Sequence, residues 1–213
     1  MRYEYFMKKA ASLGCRIFFK ACVMADTPSV DFIMYGLKRE ISFSMSVLSG
    51  TTNYVLGLIE DSLNFRGAVK RAVVEGYAEP NYATDSEGID LAAKEASIPY
   101  SLSMKPISIN DVIIESKIDE GVEEIIENTR SERLKVRYVA VLLRNEAPRV
   151  KLVTLSEEDI MAQVKGVQNC VKIVTLDESK TLLMGPGTGH RVTALTLSSD
   201  LLLSVHKVWD GGN

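Results

Sequence analysis

Four charged residues, Glu79, Asp85, Asp90 and Lys94, lie close together in the segment that begins at Gly76. Asp90 and Lys94 are four residues apart, so a helix would place them on the same face. An acid and an amine that share a face can bind a charged small molecule and move a proton. The same residue types also occur on ordinary solvated helices, so the pattern alone leaves a surface ion pair as the alternative.

The elements predicted around these residues favour a site. A helix from about Phe65 to Glu75 would end at Gly76, a residue suited to the position after a helix. The turn Tyr77–Pro80 follows, and a second amphipathic helix would run from near Asp85 through Ala96. The charged side chains would therefore meet around the start of a helix.

The composition narrows the class of protein. The 213 residues carry a formal net charge of -3, which argues against a nucleic-acid-binding protein with its basic patch. The sequence has neither a membrane-spanning apolar run nor a signal peptide, so we expect a cytoplasmic protein that binds no membrane. Cys15, Cys22 and Cys170 lack a redox or metal-binding spacing, and His190 and His206 are too far apart for a histidine metal site.

The hydrophobic pattern predicts an α+β fold with a mixed or antiparallel sheet and helices packed on one face. The predicted helices are Arg2–Leu13, a short one capped by Ser29 that carries Phe32, Ile33 and Leu37, one opening at Gly50, Phe65–Glu75, Asp85–Ala96, Glu120–Asn128 and Gly189–Val208. The predicted strands are Arg16–Cys22, Glu40–Leu48, Leu134–Arg144, Arg149–Leu155, Cys170–Leu176 and Thr181–Met184.

One glycine-rich loop precedes the last predicted helix. Gly185–Gly189 reads GPGTG, and such a loop can offer backbone N–H groups to a phosphate. It lacks the lysine of a P-loop, and no strand–GxGxxG–helix unit occurs in the sequence. The loop is therefore either a tight strand–helix turn or a ligand contact, and the chain shows no dinucleotide-binding fingerprint of its own.

Four segments together resemble homoserine dehydrogenases. Residues 48–55, LSGTTNYV, resemble that family's LNGTTNYIL segment, and residues 76–94 resemble its GYAEPDPTxDVxGxDAAxK signature. VKGVQN at 164–169 and GPGTG at 185–189 match later landmarks in the same order. The family reduces aspartate 4-semialdehyde to homoserine with NADP or NAD, in threonine and methionine biosynthesis.

The resemblance implies roles for individual residues. Lys94 falls on the family's acid/base lysine, and Asp90 on the acidic partner whose charge favours protonated Lys94. An ammonium near the aldehyde can stabilise and protonate the alkoxide that hydride transfer produces. The other matched positions are the substrate carboxylates Glu79 and Asp85, the pocket residues Tyr77, Gly50 and Thr51, and the cofactor-loop residues Gly187 and Thr188.

The family also often holds a sodium ion by backbone carbonyls, which suit a hard cation. The matching turn implies that these carbonyls belong to Lys20, Val23, Ala25 and Thr27. The local match is loose, since Lys20 replaces the usual Glu and Asp26 the usual Gly.

The resemblance runs from about Ile17 to Ser204 and covers only the part of the family that follows the Rossmann domain. We therefore expect residues 1–213 to form one substrate-binding and dimerisation domain, with little or no activity alone. Its sheet region would pair in a homodimer or larger oligomer, and the last helix, 189–208, would pack toward a nucleotide-binding domain. A non-catalytic binding or dimerisation domain of the same descent is the alternative.

Overall fold

The computed structural model describes residues 3–24, 27–37, 39–101 and 107–209. Within these ranges the strands are β1 Ile41–Val47, β2 Ile113–Ile114, β3 Leu134–Leu143, β4 Arg149–Ser156, β5 Gln168–Thr175 and β6 Lys180–Pro186. They form a sheet in the order β2-β4-β3-β1-β5-β6. The short β2 pairs parallel with β4, and the other pairs are antiparallel. The predicted mixed sheet is confirmed.

The helices of the described residues are α1 Tyr3–Ser12, α2 Lys20–Val23, α3 Ser29–Asp31, α4 Gly50–Glu60, α5 Phe65–Val74, α6 Ala83–Ser86, α7 Ile89–Ser101, α8 Val122–Arg130 and α9 His190–Trp209. A π-helical turn at Phe32–Gly36 and a 3-10 turn at Ile109–Asp111 complete the set. In the part of the chain described, no helix is both long and apolar enough to cross a bilayer.

The main core lies between one face of the sheet and the helices. The strand side chains alternate, so one set points toward the helices and the other away from them. Buried residues of α4, α5, α7 and α8 pack on Val136, Tyr138 and Ala140 of β3 and on Val171 and Ile173 of β5. The prediction of helices on one face is therefore confirmed.

The opposite face of the sheet carries a smaller apolar cluster. Val47, Val139 and Cys170 are buried there beneath Met161 and Val164, which belong to the connection between β4 and β5. The cluster continues onto half-buried side chains: Phe43, Met45, Val153, Leu155 and Leu182. This face is therefore covered only in part.

The prediction of a strand at Arg16–Cys22 is wrong. Residues 15–19 have no regular structure, and Lys20–Val23 forms the short helix α2. Apolar residues in this segment, Ile17 and Phe18, are exposed, and β1 already pairs with β3 and β5 on its two sides. A strand needs a partner ladder, and among the described strands none pairs with this segment.

The single helix predicted from Asp85 through Ala96 is divided at Gly88 into α6 and α7. Gly88 has φ +78, a backbone conformation that residues with a Cβ rarely adopt. A Cβ at this position would also lie 2.2 Å from the Tyr138 hydroxyl oxygen, which donates to the Ser116 carbonyl at 2.7 Å. The break places Asp85 and Asp90 on different helices, α6 and α7.

Candidate functional site

Lys94 and Asp90 form an ion pair on α7. Lys94 Nζ lies 2.7 Å from Asp90 Oδ2, and the two side chains keep 20% and 33% of their surface exposed. The spacing of four residues predicted this contact, and the structure has it. Because both groups are only half-buried, a small molecule can approach them from solvent.

The Lys94 ammonium is also held by the backbone of the segment that leads into α4. Nζ donates to the Leu48 carbonyl at 3.2 Å, and Asn169 Nδ2 donates to the same oxygen at 3.0 Å. Among the described residues, Nζ therefore has two acceptors, Asp90 and Leu48. An ammonium has three N–H donors, so one remains for a ligand.

Asp85 of α6 lies close enough to the Lys94–Asp90 pair for both charges to affect the pKa of its carboxyl group. Burial, with a smaller contribution from the Asp90 charge, raises the pKa of Asp85 from 3.8 to about 6, against the lowering effects of Lys94 and of a hydrogen bond from Ser49. Ser49 caps α4 and also accepts from the Thr52 N–H at 3.3 Å. The α4 cap therefore lies next to the Asp85 carboxylate.

Glu79 lies at the exposed edge of this group. Its side chain is exposed, and its charge contributes to the raised pKa of Asp85. Three carboxylates and one ammonium thus share a small region at the ends of α4, α6 and α7. The excess of negative charge suits a ligand that carries a positive group.

The predicted pocket residues Gly50, Thr51 and Tyr77 lie together at the start of α4. Thr51 Oγ1 donates to the Tyr77 carbonyl at 2.7 Å, and the Tyr77 ring packs on Tyr54 with centroids 4.9 Å apart. A Cβ on Gly50 would lie 2.8 Å from the Val167 carbonyl oxygen, so only glycine lets these segments approach so closely. These contacts fix the wall of the site next to Ser49.

The predicted cofactor-loop residues Gly187 and Thr188 follow β6 beside the same wall. Thr188 Cγ2 would lie 3.1 Å from a Cβ on Gly50, and the Gly187 N–H donates to the Val167 carbonyl at 2.9 Å. A Cβ on Gly187 would meet Asn169 atoms at 2.2 Å. The Gly187 N–H is therefore already used within the protein, and close packing accounts for the glycine.

The predicted sodium ligands do not form a described ion site. Ala25 lies outside the described residues. Lys20 and Val23 belong to α2, and Val23 is buried in the core. The Thr27 carbonyl already accepts the Ser29 N–H at 2.7 Å. The described part of the turn therefore gives no support to a bound sodium ion.

The positively charged ammonium group of Lys20 lies at this turn. Lys20 Nζ lies 2.9 Å from Asp200 Oδ1 on α9 and 3.0 Å from Asp31 Oδ2 on α3. Burial would lower the pKa of Lys20, but its hydrogen bonds and charge interactions with the two aspartates raise it overall. Lys20 thus joins α2, α3 and α9.

Three contributors to the site escaped the sequence reasoning. The Leu48 carbonyl is a backbone group and leaves no signal in the sequence. Ser49 precedes Gly50 in the matched LSGTT segment, where a serine just before a helix start is the signal of an N-cap. Asn169 ends the matched VKGVQN segment, which served only as a landmark, and its proximity to Lys94 arises from the pairing of distant strands.

The chain matches the homoserine dehydrogenase family model over residues 34–202. This range contains α4, α6, α7 and the loop after β6, and with them every site residue described above apart from the sodium turn. The match covers well over half of the chain. The chain belongs to the homoserine dehydrogenase family.

Named relatives agree with this assignment. The chain is 31% identical over 194 residues to a homoserine dehydrogenase of Sulfurisphaera tokodaii, covering 91% of this chain and 60% of the relative. It is 27% identical over 189 residues to an NAD(+)-dependent homoserine dehydrogenase of Pseudomonas canavaninivorans, covering 86% and 53% respectively. The chain thus spans between half and two thirds of the length of these relatives.

The fold agrees with a solved structure of the family. A hyperthermophilic archaeal homoserine dehydrogenase mutant in complex with NADPH matches with a TM-score of 0.79 and 26% identity, over 96% of this chain and 60% of that one. The relatives therefore include one named for NAD(+) and one solved with NADPH.

Proposed function

We propose that this chain supplies the substrate pocket and the acid/base group of an NADP- or NAD-dependent homoserine dehydrogenase, which interconverts aspartate 4-semialdehyde and homoserine. The observation that carries the proposal is the Lys94 ammonium, which is fixed by Asp90 and the Leu48 carbonyl and keeps one N–H for a ligand. Family membership supports it, because residues 34–202 include the whole arrangement.

Lys94 acts as the proton donor in the reducing direction. A nicotinamide cofactor, when bound, supplies the hydride to the aldehyde carbon, and negative charge then develops on the aldehyde oxygen. The remaining N–H of Lys94 binds that oxygen, stabilises the developing charge and delivers the proton. In the oxidising direction, neutral Lys94 removes the proton from the homoserine hydroxyl.

Asp90 orients Lys94. Its carboxylate lies 2.7 Å from Nζ, on the same face of α7, so that the ammonium is held toward the open side of the pair. Asp90 thereby limits the positions that the Lys94 ammonium can occupy.

Asp85 and Glu79 bind the substrate ammonium. Glu79 is exposed, and Asp85 is half-buried next to the pair. A charge-assisted hydrogen bond to Asp85 fixes one end of the substrate while Lys94 binds the other. The two contacts together define which end of the substrate reaches the proton donor.

The described residues fit the substrate side of a nicotinamide complex. The exposed portions of Lys94 and Asp90 leave an open approach to the donor, and Gly187 and Thr188 border it. A pyrophosphate contact is not assigned to the Gly187 N–H, because Val167 already accepts it. No step is assigned to a sodium ion.

The test is an assay of the full-length gene product with aspartate 4-semialdehyde and NADPH or NADH. We expect nicotinamide oxidation that depends on the aldehyde, with homoserine as the product, and we expect little or none from residues 1–213 alone. Absence of turnover in the full-length product, with the aldehyde still bound, would favour a non-catalytic binding or dimerisation domain instead.

We also propose that the chain dimerises through the partly covered face of its sheet. Leu143 and Met184 keep 37% and 43% of their surface exposed on that face, beside half-buried Phe43, Met45 and Val153. Apolar area of this kind marks a contact surface. A mass from light scattering equal to a single chain would contradict the homodimer.

The exposed leucines of α9 suggest a second contact. Leu195, Leu197, Leu201 and Leu202 are exposed on a helix that contacts α2, and we propose that they face a nucleotide-binding domain. Residues 1–213 would then be one substrate-binding and dimerisation domain of a cytoplasmic enzyme. Limited proteolysis of the full-length product should leave this unit intact.

Replacing Asp85 by asparagine should raise the KM for aspartate 4-semialdehyde about tenfold or more at pH 8, because a charge-assisted bond is lost. In the unmodified enzyme, kcat/KM should fall as the pH drops through the pKa of Asp85, about 6, where its carboxylate takes up a proton. The kcat/KM of the Asp85→Asn variant should not show this fall near pH 6.

Asp61→Asn is the matched control, since Asp61 is an exposed carboxylate just after α4. It removes the same charge outside the site and should leave KM within twofold. A KM for Asp85→Asn as low as that of the control would remove Asp85 from the binding site.

A further inference from the structure

We propose that Asn169 is a positioning residue, which holds Lys94 in place through the Leu48 carbonyl; the inference rests on the proton-donating role proposed for Lys94. Asn169 is the second residue of β5, and its side chain is fully buried. It lies in a different part of the chain from α7, yet its amide reaches the acceptor that Lys94 uses.

The shared acceptor is the first observation. Leu48 O accepts from Asn169 Nδ2 at 3.0 Å and from Lys94 Nζ at 3.2 Å. A carbonyl oxygen has two lone pairs, so the two donors can use both of them. A lysine side chain has much rotamer freedom, and a rigid acceptor removes part of it. Asn169 makes the acceptor rigid, since it fixes the peptide from the side of the sheet.

The unpaired oxygen of Asn169 is the second observation. Oδ1 is buried and has no hydrogen-bond partner among the described residues. Val171 and Ile173, the next residues on the same face of β5, are apolar and buried. A leucine at position 169 would avoid the cost of an unpaired buried oxygen. The hydrogen bond from Asn169 Nδ2 to the Leu48 carbonyl therefore explains an asparagine at this position better than packing does.

The contact with Gly187 is the third observation. A Cβ on Gly187 would lie 2.2 Å from Asn169 Cγ and Oδ1, so the loop after β6 packs directly on the amide. The Gly187 N–H is fixed to Val167, two residues before Asn169. A displacement of this loop would therefore move the amide, and with it the Leu48 carbonyl and Lys94.

Asn53 provides a matched control in the same molecule. It is also buried, its Nδ2 donates to the Gly166 carbonyl at 2.9 Å, and its Oδ1 has no partner in the described part of the chain. It therefore has the same chemistry and a similar environment. Its Nδ2 acceptors are the carbonyls of Val164 and Gly166, and within the described residues its side chain has no hydrogen bond to Leu48 or Lys94.

The experiment compares Asn169→Ala and Asn53→Ala in the full-length protein. Asn169→Ala should lower kcat about 10- to 100-fold with KM changed less than threefold, because a misplaced donor slows the chemistry more than it weakens binding. Asn53→Ala should lose similar thermal stability and keep kcat within threefold. The ¹⁵N–¹H signal of the Lys94 ammonium should weaken in Asn169→Ala and persist in Asn53→Ala.

Two outcomes would overturn the proposal. If both variants lower kcat equally, or if Asn169→Ala keeps kcat and the Lys94 signal, then Asn169 only packs. If Asn169→Ala fails to fold, Asn169→Ser gives the same comparison, since its hydroxyl is too short to reach Leu48. The ammonium signal does not require turnover, so it tests the positioning of Lys94 even if the proposed reaction is absent.

Discussion

Replacing Lys94 by alanine should lower kcat for aldehyde reduction by about 10³-fold in the full-length enzyme. The change removes the group that stabilises the developing oxyanion and the proton donor at once, and each contribution is typically worth about 10²-fold or more. KM should change much less, because the substrate ammonium is bound by Asp85 and Glu79. Steady-state kinetics at pH 7 to 8 measure both quantities.

The structure predicts that Lys94→Ala folds normally. The lost ion pair is half-exposed and contributes at most about 1 kcal/mol. The Leu48 carbonyl keeps its hydrogen bond from Asn169, and Asp90, with a third of its side chain exposed, can be hydrated. The thermal midpoint should therefore fall by only about 2–4 °C, which separates lost chemistry from lost structure.

Lys94→Arg and Lys70→Ala complete this test. Arginine keeps the positive charge but does not release a proton near neutral pH, so Lys94→Arg should restore little of the lost rate. Lys70 is an exposed residue of α5, and its removal should leave kcat unchanged. Activity of Lys94→Ala within tenfold of the unmodified enzyme would reject Lys94 as the proton donor.

Some of the site could be predicted from the sequence because its contacts are local. Asp90 and Lys94 lie four residues apart on one helix, and that spacing is enough to bring them together. Gly50 and Thr51 start α4, as the sequence pattern predicted. Even so, the helix predicted from Asp85 was broken at Gly88, because a glycine with φ +78 packs against Tyr138 of a distant strand.

The rest depends on contacts between distant segments. The Leu48 carbonyl reaches Lys94, 46 residues later, and Asn169 reaches Leu48 across 121 residues. A backbone acceptor has no residue type that would signal it. The false strand at Arg16–Cys22 has the same cause, since local apolar content does not reveal whether a partner strand exists. Contacts between distant segments determine both the position of the Leu48 carbonyl and the absence of a strand at Arg16–Cys22.

A buried acid next to Lys94 also escaped the sequence reasoning. Glu95 of α7 has 0% of its surface exposed, and it accepts a hydrogen bond from the Ser46 hydroxyl of β1 at 3.3 Å. Its Oε1 and the Ser44 hydroxyl are buried without partners in the described part of the chain. Burial raises the pKa of Glu95 from 4.5 to about 7, although the Ser46 hydrogen bond opposes the shift.

This raised pKa makes the stability of the fold depend on pH. In the folded protein Glu95 binds its proton more tightly than in the unfolded chain, so its neutral form stabilises the fold at low pH. That contribution is fully present below pH 4.5 and is lost as the pH rises through about 7. The shift corresponds to about 3 kcal/mol in the free energy of unfolding.

Glu95→Gln should therefore be more stable than the unmodified protein at pH 8, by about 3 kcal/mol, because glutamine resembles the neutral acid and does not ionise. Near pH 4.5 the two proteins should have similar stability. Urea unfolding at several pH values measures the difference, in which the titration of Asp85 cancels because both proteins contain it. Glu124→Gln, at an exposed position of α8, should follow the unmodified protein within about 0.5 kcal/mol. If the Glu95→Gln curve ran parallel to the unmodified one between pH 4.5 and 8, the carboxyl would be ionised in the core throughout, and the core around Ser44 and Ser46 would have to solvate it.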